Sequence, residues 1–245
     1  MSGPVTIVIP ARAASSRFPR KPLALVAGRP LLAYALSTAS STTCGARVLV
    51  ATDDPEIAAV AGGLGAEVVM TAPALASGSD RVWAALGRAH PPVEPGGIVV
   101  NLQCDEPLLP GWVLDRLVDR LSGDRAADVA TPVVAVLRAR AAPDDVVTVA
   151  RDDDGTARYF SRSVVPWGAP TVWQHLGVYA YRHEALGRYV AAAPTTLETT
   201  ERLEQLRALS LGLTIAAVEV DVSVHAVDRP EDVAAVESLL AAGRP

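Results

Sequence analysis

The chain has 245 residues, half of them hydrophobic, which fits a single α/β domain with one sizeable core. It carries 22 lysine and arginine residues against 27 aspartate and glutamate residues, and this net charge of −5 argues against a nucleic-acid-binding protein. Two isolated cysteines, Cys44 and Cys104, indicate neither a disulfide framework nor a zinc site.

The first apolar run, residues 5–9, is far too short to cross a bilayer. The N-terminus also lacks the basic and cleavage regions of a signal peptide. We therefore expect a cytoplasmic protein without a membrane partner.

Short apolar runs rich in β-branched residues alternate with segments of helical period through the first half of the chain. This pattern predicts strand 5–10 and helix 30–37, strand 47–52 and helix 55–61, strand 67–70 and helix 80–88, and strand 98–102 and helix 112–121. The strands are apolar almost continuously, as expected when helices cover both faces of a mainly parallel sheet. Ligands of such sheets bind at the carboxyl ends of the strands.

The second half, from about residue 125, has a different pattern. It predicts strands 128–137, 145–150 and 175–182, helices 183–192 and 200–211, strand 214–220 and a closing helix 230–241. We interpret these elements as an elaboration of the same sheet, so that residues 1–245 form one domain. The turn-rich segment 91–97 lies inside the alternation and does not resemble a linker.

The loop after the first predicted strand holds four cations within ten positions: Arg12, Arg17, Arg20 and Lys21, the only lysine of the chain. Small residues between the arginines let the backbone approach a phosphate, arginines offer forked donors, and the lysine offers a point charge. Neither GxxxxGK[ST] nor GxGxxG is present. The pattern favours an anion-binding loop over a solvated basic loop.

Acidic residues mark two further candidate sites. Asp105 and Glu106 end an apolar strand, where they fit either a Mg²⁺ site or an acidic turn before the helix that starts near Pro110. Asp228 lies two residues before Pro230, a pattern that by itself favours a helix N-cap.

Three other segments leave their roles open. Residues 77–81 fit a nucleotide-contacting turn or a helix start capped by Ser79. Residues 197–207 predict an amphipathic helix with Leu203 and Leu206 on its buried side and most of its charges in solvent. His175, at the start of an apolar strand, is typical of a structural histidine.

In chain order, these segments resemble the motifs of the 3-deoxy-D-manno-octulosonate (KDO) cytidylyltransferase family, from about residue 5 to about residue 236. The motifs are IPARxxSxRxPxKPL at 9–23, SGxxR at 77–81, NxQxDEP at 101–107, YFSRxxxPW at 159–167, HLGxYxYR at 175–182, LExxExLEQLR at 197–207 and VDxPED at 227–232. Their shared order makes the resemblance specific.

The resemblance implies a Rossmann-like nucleotidyltransferase fold, an α/β architecture with a mostly parallel mixed sheet flanked by helices, usually in a homodimer. It also implies transfer of CMP from CTP to an acidic acceptor, by family default KDO, with release of pyrophosphate and with Mg²⁺ as cofactor. The product, CMP-KDO, serves lipopolysaccharide biosynthesis. Mg²⁺ bridging the α-phosphate and the acceptor would lower the acceptor's pKa and align it, and no side chain stands out as a general base.

The resemblance also implies roles for individual residues. Asp105 and Asp228 match the metal ligands, and Arg12, Lys21 and Asp105 match the catalytic positions. The residues expected to contact CTP or the acceptor are Ala11, Arg12, Ser15, Arg17, Lys21, Ser77, Arg81, Gln103, His175, Tyr179, Glu204 and Gln205, with Arg162 close by.

Some positions depart from the family pattern, and these departures bear on the identity of the acceptor. Cys104 replaces a usual glycine, Thr148 stands where lysine is common, and Gln174 stands where arginine is usual. The stretch 167–173 is also shorter than usual. Two alternatives therefore stand beside KDO transfer: a cytidylyltransferase for a small phosphonate acid such as phosphonoformate, and a CTP-binding protein without turnover.

Overall fold

A computed structural model describes residues 3–14, 18–124, 126–141, 146–222 and 225–242. The strands are β1 (Val5–Ala11), β2 (Leu25–Val26), β3 (Arg29–Pro30), β4 (Arg47–Thr52), β5 (Glu67–Met70), β6 (Ile98–Asn101), β7 (Val129–Leu137), β8 (Thr148–Arg151), β9 (Ala157–Ser161), β10 (Thr171–His175), β11 (Tyr179–Arg182) and β12 (Ile215–Glu219). The α-helices are α1 (Leu31–Ser40), α2 (Pro55–Gly63), α3 (Gly78–Leu86), α4 (Gly111–Gly123), α5 (His183–Ala191), α6 (Thr196–Glu201), α7 (Gln205–Ser210) and α8 (Asp232–Ala241).

One mixed sheet organises these elements. Its strand order is β5-β4-β1-β6-β11-β7-β10-β8-β9, and β12 pairs with β7. The four strands β5, β4, β1 and β6 are parallel, whereas β11 is antiparallel to β6 and β7. The strands of the second half therefore extend the same sheet, as predicted, and β2 and β3 form a separate short hairpin.

Helices cover both faces of the parallel part of the sheet. Every residue of β1 is buried. Ile7 packs on one face in a cluster with Leu32 and Leu114, whereas Val8 packs on the other face in a cluster with Val82. Burial on both faces explains the nearly continuous apolar sequence of this strand.

Most predicted elements of the first half are confirmed. β4 and β5 have the predicted bounds, and the other boundaries of that half lie within three residues of the prediction. In the second half, the predictions for β7, β8, α5, β12 and α8 are also confirmed within three residues, although residue 145 lies outside the described residues. The hairpin β2–β3, the strand β9 and the first residues of β10 were not predicted.

The predicted strand 175–182 is wrong. β10 ends at His175 and β11 begins at Tyr179, so His175 closes a strand instead of opening one. Between them the chain turns, and the amide of Val178 donates to the carbonyl of Leu176 at 2.8 Å. The apolar pattern continues through this turn, which is why periodicity alone missed it.

The predicted helix 200–211 is also wrong, because the chain breaks at Arg202 (φ 55°) between α6 and α7. The break brings together Glu198 and Arg207, whose side chains form a buried two-point ion pair. In a continuous helix, residues nine apart are separated by about 13.5 Å along the axis, so this pair requires the break. Leu203 and Leu206 are buried as predicted, but Glu198 and Arg207 are buried too.

Among the helices of the described ranges, none has the length and apolar composition needed to cross a bilayer.

Breaking the Glu198–Arg207 pair should destabilise the fold. Glu198→Gln leaves the guanidinium of Arg207 buried without its countercharge, and we expect a loss of about 3 kcal/mol in the free energy of unfolding. Urea unfolding measures this loss. Asp152→Asn, which breaks the exposed pair between Asp152 and Arg158, is the control and should leave the unfolding midpoint nearly unchanged. Equal losses in the free energy of unfolding for Glu198→Gln and Asp152→Asn would contradict a stabilising role of the buried pair.

Candidate active site

The candidate site lies at the carboxyl ends of the parallel strands. β1 and β6 are neighbours, so the loops that follow them meet at one edge of the sheet. The loop after β1 contributes Arg12 and Lys21, and the loop after β6 contributes Gln103 and Asp105.

Lys21 lies between two carboxylates from distant parts of the chain. Its Nζ is 2.8 Å from Oδ2 of Asp105 and 3.3 Å from Oδ1 of Asp228. Burial lowers the pKa of Lys21, but the two carboxylates outweigh burial and raise that pKa above its usual value. Lys21 therefore stays charged at neutral pH.

Backbone contacts hold the two aspartates together. The amide of Val227 donates to the carbonyl of Asp105 at 2.8 Å. Asp228 does not cap α8: the carboxylate of Asp232 instead accepts hydrogen bonds from the amides of Asp228 and Arg229, each at 2.8 Å. This corrects the N-cap interpretation of Asp228 and leaves its carboxylate directed at Lys21.

The donor set suits a hard divalent cation. Asp105 and Asp228 both face the single cation of Lys21, so both can face one metal ion. Across the described ranges, no cluster of three or more His, Cys, Asp or Glu residues could hold a metal. A pair of carboxylates fits Mg²⁺, which takes its remaining ligands from water and phosphate oxygens.

Two cavities meet at these carboxylates. The smaller cavity, of about 240 Å³, is lined by the cations of Arg12, Lys21 and Arg81. The larger cavity, of about 720 Å³, is lined by neutral hydrogen-bonding groups such as Gln174 and His175 together with charged groups such as Arg202 and Glu204. The residues common to both are Gln103, Asp105, Glu204 and Asp228. Ligands in the two cavities would therefore meet beside the candidate metal ligands.

The smaller cavity depends on the start of α3. Ser77, and not Ser79, is the N-cap, and its side chain forms a capping box with Asp80. At the first position of the helix, a Cβ on Gly78 would lie 3.0 Å from Nε2 of Gln103. A residue without a side chain here lets the amide of Gln103 reach the junction of the two cavities.

The larger cavity is lined by residues of β10, β11 and α7. His175 ends β10 and Tyr179 begins β11, with ring centroids 5.3 Å apart, and Gln205 begins α7. Burial raises the pKa of Tyr179, so its hydroxyl stays protonated. These groups present neutral donors and acceptors to a ligand.

The other predicted residues have varied positions. Ala11 is buried at the end of β1, and the side chain of Ser77 serves as a helix cap. Arg162 donates from Nε to the carbonyl of Glu201 at 3.1 Å. Ser15 and Arg17 lie outside the described residues.

The departures from the family pattern also differ in position. Gln174 lines the larger cavity. Thr148 is buried, and its hydroxyl donates to the carbonyl of Ser163 at 2.9 Å. Cys104 lines the smaller cavity, and burial raises the pKa of its thiol to about 12, so the thiol stays protonated at neutral pH.

Sequence reasoning missed Asn101 and Arg202, which line the larger cavity. Glu106, which the sequence offered together with Asp105 as a candidate carboxylate, lines the same cavity. Burial, together with the charges of Asp105 and Asp228, raises the pKa of Glu106 to about 8. Arg202 gave no signal in the sequence, because it belongs to a segment whose charges were expected to lie in solvent.

Comparisons with known proteins identify the family of the chain. A family model described as cytidylyltransferase matches residues 6–215. A 3-deoxy-manno-octulosonate cytidylyltransferase of Rhodospirillum centenum is 42% identical, over 96% of this chain and 92% of that protein. Another of Myxococcus xanthus is 44% identical, over 96% of each chain.

Solved structures give the same result. A CMP:2-keto-3-deoxy-manno-octonic acid synthetase complexed with CTP superposes with a TM-score of 0.90 at 34% identity, covering 98% of this chain and all of that one. A cytidylyltransferase of Leptospira borgpetersenii, with a TM-score of 0.63 at 16% identity, shares the fold. The chain therefore belongs to the 3-deoxy-manno-octulosonate cytidylyltransferase family.

Proposed function

We propose that this enzyme transfers CMP from CTP to the anomeric hydroxyl of KDO and releases pyrophosphate. The observation that carries the proposal is the meeting of two cavities at Asp105 and Asp228, the smaller of which is lined by the cations of Arg12, Lys21 and Arg81. The similarity to 3-deoxy-manno-octulosonate cytidylyltransferases over nearly the whole chain supports KDO as the acceptor. The product, CMP-KDO, would be the activated sugar for lipopolysaccharide biosynthesis.

CTP would occupy the smaller cavity. The side chains of Arg12, Lys21 and Arg81 line it and can offset the negative charge of a triphosphate. CTP is also the nucleotide in the superposed synthetase structure. Arg12 and Lys21 would bind the phosphates, and their charges would stabilise the departing pyrophosphate.

Asp105 and Asp228 would hold Mg²⁺. Bound there, Mg²⁺ would neutralise phosphate charge and acidify the acceptor hydroxyl. The support for this assignment is the orientation of both carboxylates toward one cation.

KDO would occupy the larger cavity. A volume of about 720 Å³ lies within the usual range for small-molecule sites. Its lining includes the amides of Gln174 and Gln205 and the ring of His175, which suit the several hydroxyls of a sugar acid. Phosphonoformate has no hydroxyls of that kind to satisfy these groups.

His175 would accept a hydrogen bond from the acceptor. The hydroxyl of Thr131 donates to the carbonyl of Val178 at 2.7 Å, so its oxygen accepts from Nε2 of His175 at 2.9 Å. Nδ1 of His175 then carries no proton and is an acceptor. Burial lowers the pKa of His175 to about 3, which keeps the ring neutral.

The transfer is a single displacement at phosphorus. The anomeric oxygen of KDO forms a bond to the α-phosphorus of CTP as the bond to the β-phosphate oxygen breaks, and the acceptor proton leaves to solvent. The side chains of the two cavities would hold the reacting atoms in line, and this positioning accounts for a large part of the rate enhancement.

We also propose a cytoplasmic homodimer, because CTP is a cytoplasmic nucleotide and family members are usually dimers. Trp167 is 93% exposed and Leu137 is 58% exposed. The side chain of Arg138 donates to the carbonyl of Pro166 at 3.0 Å, so these apolar residues lie in neighbouring segments of one surface. Light scattering of the purified protein should give twice the chain mass.

The activity is tested by pyrophosphate release from CTP and Mg²⁺ with KDO, with phosphonoformate and without an acceptor. We expect release with KDO alone. Asp105→Asn should lower kcat more than about a hundredfold, because it removes a charged metal ligand. Asp119→Asn, at an exposed position of α4, is the matched control and should leave kcat unchanged.

Other outcomes distinguish the alternatives. Release only with phosphonoformate would assign the larger cavity to a small phosphonate acid. CTP binding without any release would make the chain a CTP-binding protein without turnover. Full activity of Asp105→Asn would contradict the metal assignment.

The neutral His175 predicts an acid-dependent loss of stability. Its pKa is about 3 in the folded chain and about 6.5 when unfolded, so the unfolded chain binds one more proton between these values. The free energy of unfolding therefore falls as the pH drops from 6.5 toward 3, and this contribution is fully present above pH 6.5. His175→Gln removes it. Urea unfolding between pH 7.5 and 4.5 should show that the free energy of unfolding falls more for wild type than for the variant as the pH drops. A difference in the free energy of unfolding that grows in favour of wild type in acid would contradict a buried neutral ring.

A further inference from the structure

The side chain of Arg81 contributes to the wall of a cavity although it is only 2% exposed. It belongs to α3 and lines the smaller cavity. Its Nη1 lies 2.5 Å from Oγ1 of Thr71 and 3.4 Å from the carbonyl of Ala72. Both partners are neutral, so neither offsets the buried positive charge.

The countercharge comes from Asp53. Oδ1 of Asp53 is 3.3 Å from Nη1 of Arg81, and the Asp53 side chain is 10% exposed. Asp53 directly follows β4, which is the neighbour of β1 in the sheet. Within the described part of the chain, this is the carboxylate that forms an ion pair with Arg81.

Asp53 and Arg81 attract each other by charge, without a hydrogen bond between them. Oδ1 of Asp53 is buried and has no hydrogen-bond partner among the described residues. Burial lowers the pKa of Arg81, Asp53 raises it, and the nearby positive charge of Arg12 lowers it again. Arg12 and Arg81 line the same cavity, so the Asp53 carboxylate also offsets their mutual repulsion.

The neighbouring aspartate has a different role. The carboxylate of Asp54 caps α2 by accepting from the amides of Glu56 and Ile57, and it forms an ion pair with Arg20. Of the two adjacent aspartates, Asp54 therefore caps a helix, whereas Asp53 pairs with an arginine at the cavity wall.

We propose that Asp53 is a positioning residue for the nucleotide: its carboxylate holds the guanidinium of Arg81 at the wall of the smaller cavity and thereby sets the affinity for CTP. The inference rests on the proposed function, in which CTP occupies that cavity. Asp53 itself does not touch the ligand. It acts through Arg81, whose remaining N–H groups are donors for a nucleotide.

The test is calorimetry of CTP binding with Asp53→Asn, which keeps the shape of the side chain and removes its charge. We expect the Kd for CTP to rise about tenfold. In turnover, the KM for CTP should rise in parallel, with kcat at saturating CTP and the KM for the acceptor unchanged. Asp54→Asn is the matched control and should leave the Kd for CTP unchanged even where it lowers the melting temperature.

A double-mutant cycle separates positioning from general destabilisation. If Asp53 acts through Arg81, then Asp53→Asn should raise the Kd little further in an Arg81→Gln background. An unchanged Kd in the single variant, or the same added factor in both backgrounds, would overturn the proposal. If Asp53→Asn does not fold, Asp53→Glu keeps the charge and displaces it by one methylene. A Kd for CTP unchanged in that variant would overturn the proposal as well.

The calorimetry needs no acceptor, so it separates this inference from the proposed function. Wild type that binds CTP but shows no turnover with KDO would refute the acceptor assignment and leave the Asp53 test intact. Wild type that does not bind CTP would overturn both.

Discussion

One ammonium group shared by two carboxylates connects the parts of this site. Lys21 comes from the loop after β1, Asp105 from the loop after β6, and Asp228 from the segment before α8. Two carboxylates this close repel each other unless a cation lies between them. The sheet supplies the first two loops because its parallel strands end at one edge, and the hydrogen bond from Val227 to Asp105 brings the third segment to them.

The same rule of paired charges applies to the other cation of the smaller cavity that has a low exposure, Arg81. In the smaller cavity Lys21 pairs with Asp105 and Asp228, and Arg81 pairs with Asp53. The larger cavity combines neutral groups such as the ring of His175 with charged groups such as Arg202 and Glu204. Cations fixed by carboxylates suit a triphosphate, and a lining of mixed polarity suits an acid with several hydroxyls.

The sequence predicted those features that depend on local pattern. Strands buried on both faces are apolar throughout, which placed β1, β4, β5 and β6 and, with them, Arg12, Lys21 and Asp105 at one edge. Features that depend on tertiary contacts were missed. The break at Arg202 lets Glu198 pair with Arg207, and no helix propensity encodes that pair. The contact between Asp53 and Arg81 likewise joins two segments that sequence spacing does not relate.

A crystal structure of the protein with CTP and Mn²⁺ tests the shared-cation arrangement most directly, because the anomalous signal of manganese locates the metal. The account predicts one peak bonded to the carboxylates of Asp105 and Asp228, at about 2.1 Å as expected for a small hard cation, with Nζ of Lys21 directed at the triphosphate. A metal bound elsewhere, with Lys21 still between the two carboxylates, would contradict it.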